Sequence, residues 1–203
     1  MTSRRHAARF GNAALGPLLA LLLGGCSLAT GAKVVDLYDI SAPDLSGTVR
    51  GGTRAQVLVP EPTAVQAINT NQIAIRTGDA TLGYIAGGQW ADSLPRLIQA
   101  RIVETLEKTD RVGAVGTPGE GLFINYSLRL TIREFGIRAN GGRQARVEIA
   151  ARILNESNGR VLASRSFEQA VTAGAGTEGA VRALDAAFGN AAQDLVQWVF
   201  SRI

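Results

Sequence analysis

Ten consecutive residues, Ile124-Asn125-Tyr126-Ser127-Leu128-Arg129-Leu130-Thr131-Ile132-Arg133, alternate apolar and polar side chains without a slip. Only an extended strand, whose side chains leave by opposite faces with period two, turns that pattern into one buried face and one wet face. Asn140-Gly141-Gly142 then turns the chain. Val147, Ile149, Ala151 and Ile153 follow, interleaved with Arg146, Glu148, Ala150 and Arg152. Asn158-Gly159 turns it again into Arg160–Val171. The spacing predicts a three-stranded antiparallel meander with one polar face, and that sheet needs a cover over its apolar face.

Two helices are predicted to supply the cover. From about Thr177 to Arg202, the residues Val181, Leu184, Phe188, Ala191, Leu195 and Val199 keep a three-four rhythm, an amphipathic stripe. From about Trp90 to Lys108, Leu94, Ile98, Ile102 and Leu106 stand four apart with Leu97 beside them. Arg96, Arg101, Glu104, Glu107 and Lys108 take the outer side. Pro95 is tolerable there only in the first turn. The remaining elements are short. Val34–Ile40 reads as a strand, residues 41–54 as a Gly-containing loop, and Gln56–Val59 as a strand stopped by Pro60 and Pro62. Ala64–Ile68 reads as a helical turn, Gln72–Arg76 and Thr81–Ile85 as a hairpin around Gly78-Asp79, and Arg111–Val115 as a short strand or link. The order predicts an α+β domain: a mainly antiparallel sheet with two helices packed on one face.

The amino terminus carries a separate message. Arg4, Arg5 and Arg9 precede an apolar run ending Leu21-Leu22-Leu23. The run is shorter than the roughly 20 apolar residues of a membrane span, and it has the order of a secretory signal. Leu23-Gly24-Gly25-Cys26 resembles a bacterial lipobox, although Gly24 is an unusual choice there. A plain signal peptide with a buried thiol is the alternative, but the chain's sole Cys stands where a lipobox needs it. The expected division is a lipoprotein signal peptide over 1–25, a lipidated Cys26 and tether over 26–33, and one domain over 34–203.

Cleavage before Cys26 changes the chemistry that is left. The sole His, His6, leaves with the signal, and the sole Cys is acylated. Cysteine nucleophiles, Ser-His-Asp triads, the usual zinc sites and intramolecular disulfides are then excluded. No catalytic residue, metal site or cofactor is expected. Three of the 21 basic residues also leave, against none of the 17 acidic ones, so the mature chain is near neutral and nucleic acid is not an expected partner.

The mature chain resembles the ABC-type transport auxiliary lipoproteins, including those of paraquat-inducible and related lipid-transport systems that work beside MCE (mammalian cell entry) proteins. The residues that carry the resemblance are Val57-Leu58-Val59-Pro60-Glu61-Pro62-Thr63-Ala64, Ile73-Ala74-Ile75-Arg76, and Tyr84 leading into Trp90-Ala91-Asp92-Ser93-Leu94-Pro95-Arg96-Leu97. It continues through Leu128–Phe135, Gly159–Phe167 and Ala187-Phe188. The resemblance implies that 34–203 is the auxiliary domain of a periplasm-facing, non-enzymatic subunit. Its implied partners are an MCE-domain protein, the ABC transporter and phospholipid, with the membrane reached through the lipid anchor. Ser27, in place of an acidic residue, points to the inner leaflet of the outer membrane. The alternative is a stand-alone lipid-binding carrier with an apolar pocket between helices and sheet.

Arg129, Arg133, Arg146 and Arg152 fall on the polar face of the meander, where they either meet phosphate or acidic groups or form a solvated face. Trp90 is either a partner anchor or a core residue, and Trp198 is equally open. Asp92 suits a backbone N–H near a helix start. Gly174-Ala175-Gly176-Thr177-Glu178-Gly179 matches GxGxxG, but no strand follows as a dinucleotide fold requires.

Overall fold

The computed structural model describes residues 35–203, within one compact unit, Val34–Ile203. The signal segment, Cys26 and the Ser27–Lys33 tether lie outside the described residues. In chain order the elements are β1 (Asp36–Tyr38), β2 (Gln56–Leu58), β3 (Thr63–Ala64), β4 (Gln72–Arg76), β5 (Leu82–Trp90) and α1 (Leu94–Glu107). Then come β6 (Ala114–Gly116), β7 (Tyr126–Arg138), β8 (Gln144–Asn155), β9 (Arg160–Thr172) and α2 (Gly176–Phe200).

The alternating segment is the centre of the sheet. One edge of β7 pairs antiparallel with β8 along its whole length, and β8 pairs antiparallel with β9. That is the meander the spacing predicts. The other edge of β7 is shared by three short strands in succession. β2 sits beside Tyr126 and Ser127, β3 beside Thr131 and Ile132, and β4 beside Ile137 and Arg138, all parallel to β7. Pro60 and Pro62 lie between β2 and β3, where a residue without an N–H costs no ladder bond. Beyond these strands, β6 adds parallel to β2, β5 antiparallel to β4, and β1 parallel to β5.

The sheet is therefore mixed and not mainly antiparallel. The correction has a physical cause. Side-chain alternation reports which face a strand buries but not its direction, and strands of two to five residues carry no direction signal at all. Further details refine the expectations. β5 runs on to Trp90, so that residue ends a strand and α1 starts at Leu94. β3 takes Ala64, where the helical turn was expected to begin, and the single turn that follows is closed by Ile68 and Asn69 N–H groups on the Val65 carbonyl. Residues 41–54 lie along α2, held by the Ser41 N–H on Asp185 and by reciprocal bonds between Arg50 and Gln197. Ile40, Leu45 and Val49 are buried beneath.

The core lies between the inward rows of the meander and the two helices, which contact each other. Leu128, Leu130, Ile132, Phe135 and Ile137 meet Leu184, Phe188, Leu195 and Val199 of α2 and the Leu94–Leu106 stripe of α1. Five alanines of α2 (Ala180, Ala183, Ala187, Ala191 and Ala192) are buried, and their small side chains let the helix lie close to the sheet. Each fully buried Leu, Ile or Phe contributes about 1.5–3 kcal/mol. Pro95 occupies the first turn of α1, where its missing N–H is not needed, and Asp92 accepts the Ser93 N–H at 2.6 Å.

Candidate functional site

With the inner face packed, the outer face of the meander carries the polar side chains. Cross-strand register sorts them into rows. Arg129, Arg152 and Ser164 form one row, and Thr131, Ala150 and Ser166 the next. Glu134, Glu148 and Glu168 follow, and then Gly136, Arg146 and Ala170.

A β-bulge sets the boundary between the basic and acidic rows. Ile132 opposes Ile149 and Glu134 opposes Glu148, so Arg133 is the extra residue. Its effect is to place Arg133 and Glu134 on the same outer face and to shift the inward phase onto Phe135 and Ile137. The Arg133 guanidinium donates to Glu148 Oε1 at 2.9 Å and to Ser166 Oγ at 3.0 Å. Arg138 donates to both carboxylate oxygens of Glu134, each at 2.6 Å. That bidentate bond holds the Arg138 guanidinium pKa above its ordinary value against the opposing effect of burial. Two of the three carboxylates of the acidic row, Glu134 and Glu148, are thus paired with arginines of strand β7.

The basic row differs. Arg129 and Arg152 stand directly opposite each other, both exposed, and among the described residues neither has an ion-pair partner. Like charges directly opposed across strands destabilise a sheet. Beside them lies an open groove of about 520 Å³ whose lining includes Thr131, Arg133, Ala150, Arg152, Ser164 and Ser166. Small and hydroxyl side chains keep its floor low and furnish hydrogen-bond partners. Arg152 over such a floor, with Arg129 opposite it and Arg165 also on the lining, suits an anionic group with several oxygen acceptors, because each planar fork can give two parallel bonds.

Of the five residues singled out from sequence, two line this groove, Arg133 and Arg152, and Arg129 stands directly across the strands from Arg152. Arg146 is separated from them by the acidic row. Trp90 is 1% exposed and packs edge-on against Phe135 at 5.8 Å, so it takes the core alternative and presents no anchor to a partner. Trp198 is likewise buried, against Phe167. Sequence reading missed Thr131, Ser164 and Ser166, since small polar residues on a wet face carry no signal of their own. The glycine-rich segment serves a tight approach to α2. A Cβ on Gly179 would stand 2.6 Å from the Gly174 backbone.

Among the described residues no three His, Cys, Asp or Glu side chains are placed to hold a metal ion, and no helix is long and apolar enough to cross a membrane. A narrow apolar slot lies between the Val65–Asn69 turn and the sheet, lined by Val65, Ile68, Ala74, Leu82, Phe135 and Ile137. It holds about 40 Å³.

The model of a family described as an ABC-type transport auxiliary lipoprotein component matches residues 38–196. An uncharacterised protein of Bradyrhizobium diazoefficiens is 33% identical over 162 residues, which cover 79% of this chain and 44% of that protein. The chain thus spans less than half the length of this relative. A crystal structure of a Xanthomonas campestris protein shares the fold with a TM-score of 0.75 at 23% identity, covering 82% of this chain and 95% of that one. A hypothetical protein from Chlamydia trachomatis matches at 0.52 and 6% identity, covering 74% and 98%.

Proposed function

The chain belongs to the family of ABC-type transport auxiliary lipoprotein components, membrane-anchored proteins associated with an ABC transporter, and on that premise we propose that it is the periplasm-facing accessory subunit of an MCE-type lipid transporter. It is delivered by the signal peptide of residues 1–25 and anchored through Cys26 in the inner leaflet of the outer membrane. It acts by binding the MCE-domain protein and so supports phospholipid passage, with no chemistry of its own. The domain of residues 34–203 does the binding through the outer face of the meander. The observation that carries this reading is the opposed, unpaired Arg129 and Arg152 on that face. They are an electrostatic liability in the free protein and an asset against an acidic partner.

The carrier alternative gains no support from the interior. Its expected chamber between helices and sheet is filled by Leu184, Phe188 and Leu195, all 0% exposed. The 40 Å³ slot is far below the roughly 300–1,000 Å³ of a ligand pocket.

The test is a pull-down of the MCE-domain protein by a soluble form beginning at residue 27. The wild type should capture it. Arg129→Glu with Arg152→Glu should abolish capture while leaving the melting temperature intact. Capture unchanged by the double reversal returns both arginines to a solvated face. Loss of the gene should produce an envelope-permeability defect matching loss of the transporter.

A further inference from the structure

A second bulge lies on the same outer face. Ile153 opposes Ala163 and Leu154 opposes Val161, so Leu162 is the extra residue of β9. Ala163 shares the inward phase of Ile153, and Val161 shares the outward phase of Leu154. The bulge therefore turns two successive apolar side chains, Val161 and Leu162, to the outside together. They are 52% and 49% exposed. Leu154 lies beside them, half-buried and directly opposite Val161, with the buried Ser127 on its other side. Phe123, 85% exposed, stands at the same end of the meander, where it lines a cleft with Tyr126, Asn155 and Glu156.

The next row along the strands is Arg129, Arg152 and Ser164, two residues or roughly 7 Å away. The apolar pair and the basic row are thus contiguous. Glu156, the acidic residue nearest this end of β8, is occupied by a hydrogen bond from the Ser127 hydroxyl. A surface meant only for water gains nothing from a bulge that exposes two aliphatic side chains.

We propose that Val161, Leu162 and Phe123 form the apolar centre of the partner-docking surface, with Arg129 and Arg152 as its charged flank. The proposal rests on the reading of the outer face as a docking surface and names the partner's chemistry. The partner presents an aliphatic or aromatic side chain to the Val161–Leu162 bulge and carboxylates to the two guanidiniums about 7 Å along. Two features favour a protein over a bilayer. Arg152, with Arg129 opposite it, lines a concave groove, which a flat lipid surface cannot fill. Serine and threonine hydroxyls in that groove offer both donors and acceptors.

The experiment compares four soluble forms beginning at residue 27 in binding to the MCE-domain protein: wild type, Val161→Ser with Leu162→Ser, Phe123→Ser, and Leu37→Ser as an exposed apolar control on β1. Each is also floated with phosphatidylglycerol vesicles. Melting curves exclude misfolding. A hot-spot side chain contributes at least about thirtyfold in affinity, so the Val161/Leu162 double change should weaken binding by at least that factor. Phe123→Ser should weaken it less, and Leu37→Ser not at all. If the Val161/Leu162 change leaves binding intact while Arg129→Glu with Arg152→Glu abolishes it, the apolar centre is overturned and the docking face stands. If the wild type fails to bind the MCE protein, both are overturned. If these changes abolish vesicle flotation but spare the pull-down, the bulge is a membrane contact and the protein partner is refuted there.

Discussion

Replacing Arg152 with Gln should make the free protein more stable while weakening its binding. Arg129 and Arg152 are cross-strand neighbours on an exposed face, with no carboxylate among the described residues paired to either. An opposed like-charge pair costs a sheet about 0.2–1 kcal/mol. Gln keeps most of the aliphatic stem and its polar end but removes the charge. For a domain of this size about 1 kcal/mol shifts the melting temperature by roughly 2–4 °C, so Arg152→Gln should raise it by about 1–3 °C at low salt. The gain should vanish near 1 M salt, where the screening length falls to about 3 Å. Arg133→Gln is the matched control with the opposite sign. It removes the bonds to Glu148 and Ser166 and leaves the Glu134–Glu148–Glu168 row less compensated, so it should cost about 0.5–1 kcal/mol. Melting curves in low and high salt, read beside a pull-down, make the measurement. If Arg152→Gln destabilises, or both changes shift stability in the same direction, then Arg152 serves the fold and the argument for a binding pair collapses.

Three other outcomes are expected. Phe188 is 0% exposed and packs on Phe135 at 6.4 Å, so Phe188→Ala should cost about 3–5 kcal/mol in urea denaturation; a cost under about 1 kcal/mol would contradict its core position. Cys26→Ala should abolish palmitate labelling and membrane fractionation, because stable anchoring needs two or more acyl chains; persistent labelling refutes the lipobox. The Glu104 carboxyl is held below its ordinary pKa by Lys108 first and Arg101 second, so its contribution is present above the unfolded pKa and lost as pH falls through the folded one. Glu104→Gln should therefore lower the melting temperature near pH 7 more than near pH 3, and an equal effect at both would contradict the pairing.

The meander was legible because period two is a strong signal over ten or more residues, and the helices because their stripes are long. Trp90 shows where pattern reading stopped. The apolar rhythm of α1 extends back to it, yet its N–H bonds to the Asn71 carbonyl beside β4, and its ring fills the core next to Phe135. Tertiary pairing settled that residue, and no local propensity could. The parallel strands β2, β3 and β4 were illegible in direction for the same reason. Their placement along one edge of β7 depends on partners about 70 residues away.

The basic face was legible only as a face. Four arginines alternate with apolar residues and look equivalent in sequence, but the bulge at Arg133 divides them. In a regular ladder Arg133 would oppose Glu148, and Glu134 would oppose Val147 and point into the core. The extra residue lifts Glu134 out, lets Arg138 neutralise it, and leaves Arg133 to neutralise Glu148. Those pairings hold Glu134 and Glu148 to their own arginines, and Arg129 and Arg152 are left facing each other across the strands with no ion-pair partner among the described residues. One signal for this was present: Arg133-Glu134 is a polar doublet inside an otherwise alternating strand, and Val161-Leu162 is its apolar counterpart in β9. Each doublet marks a bulge, and each bulge adds a side chain to the same outer face. The two irregularities in the meander therefore build one surface, charged in its middle rows and apolar at its end, while its other side keeps an unbroken apolar face on the helices.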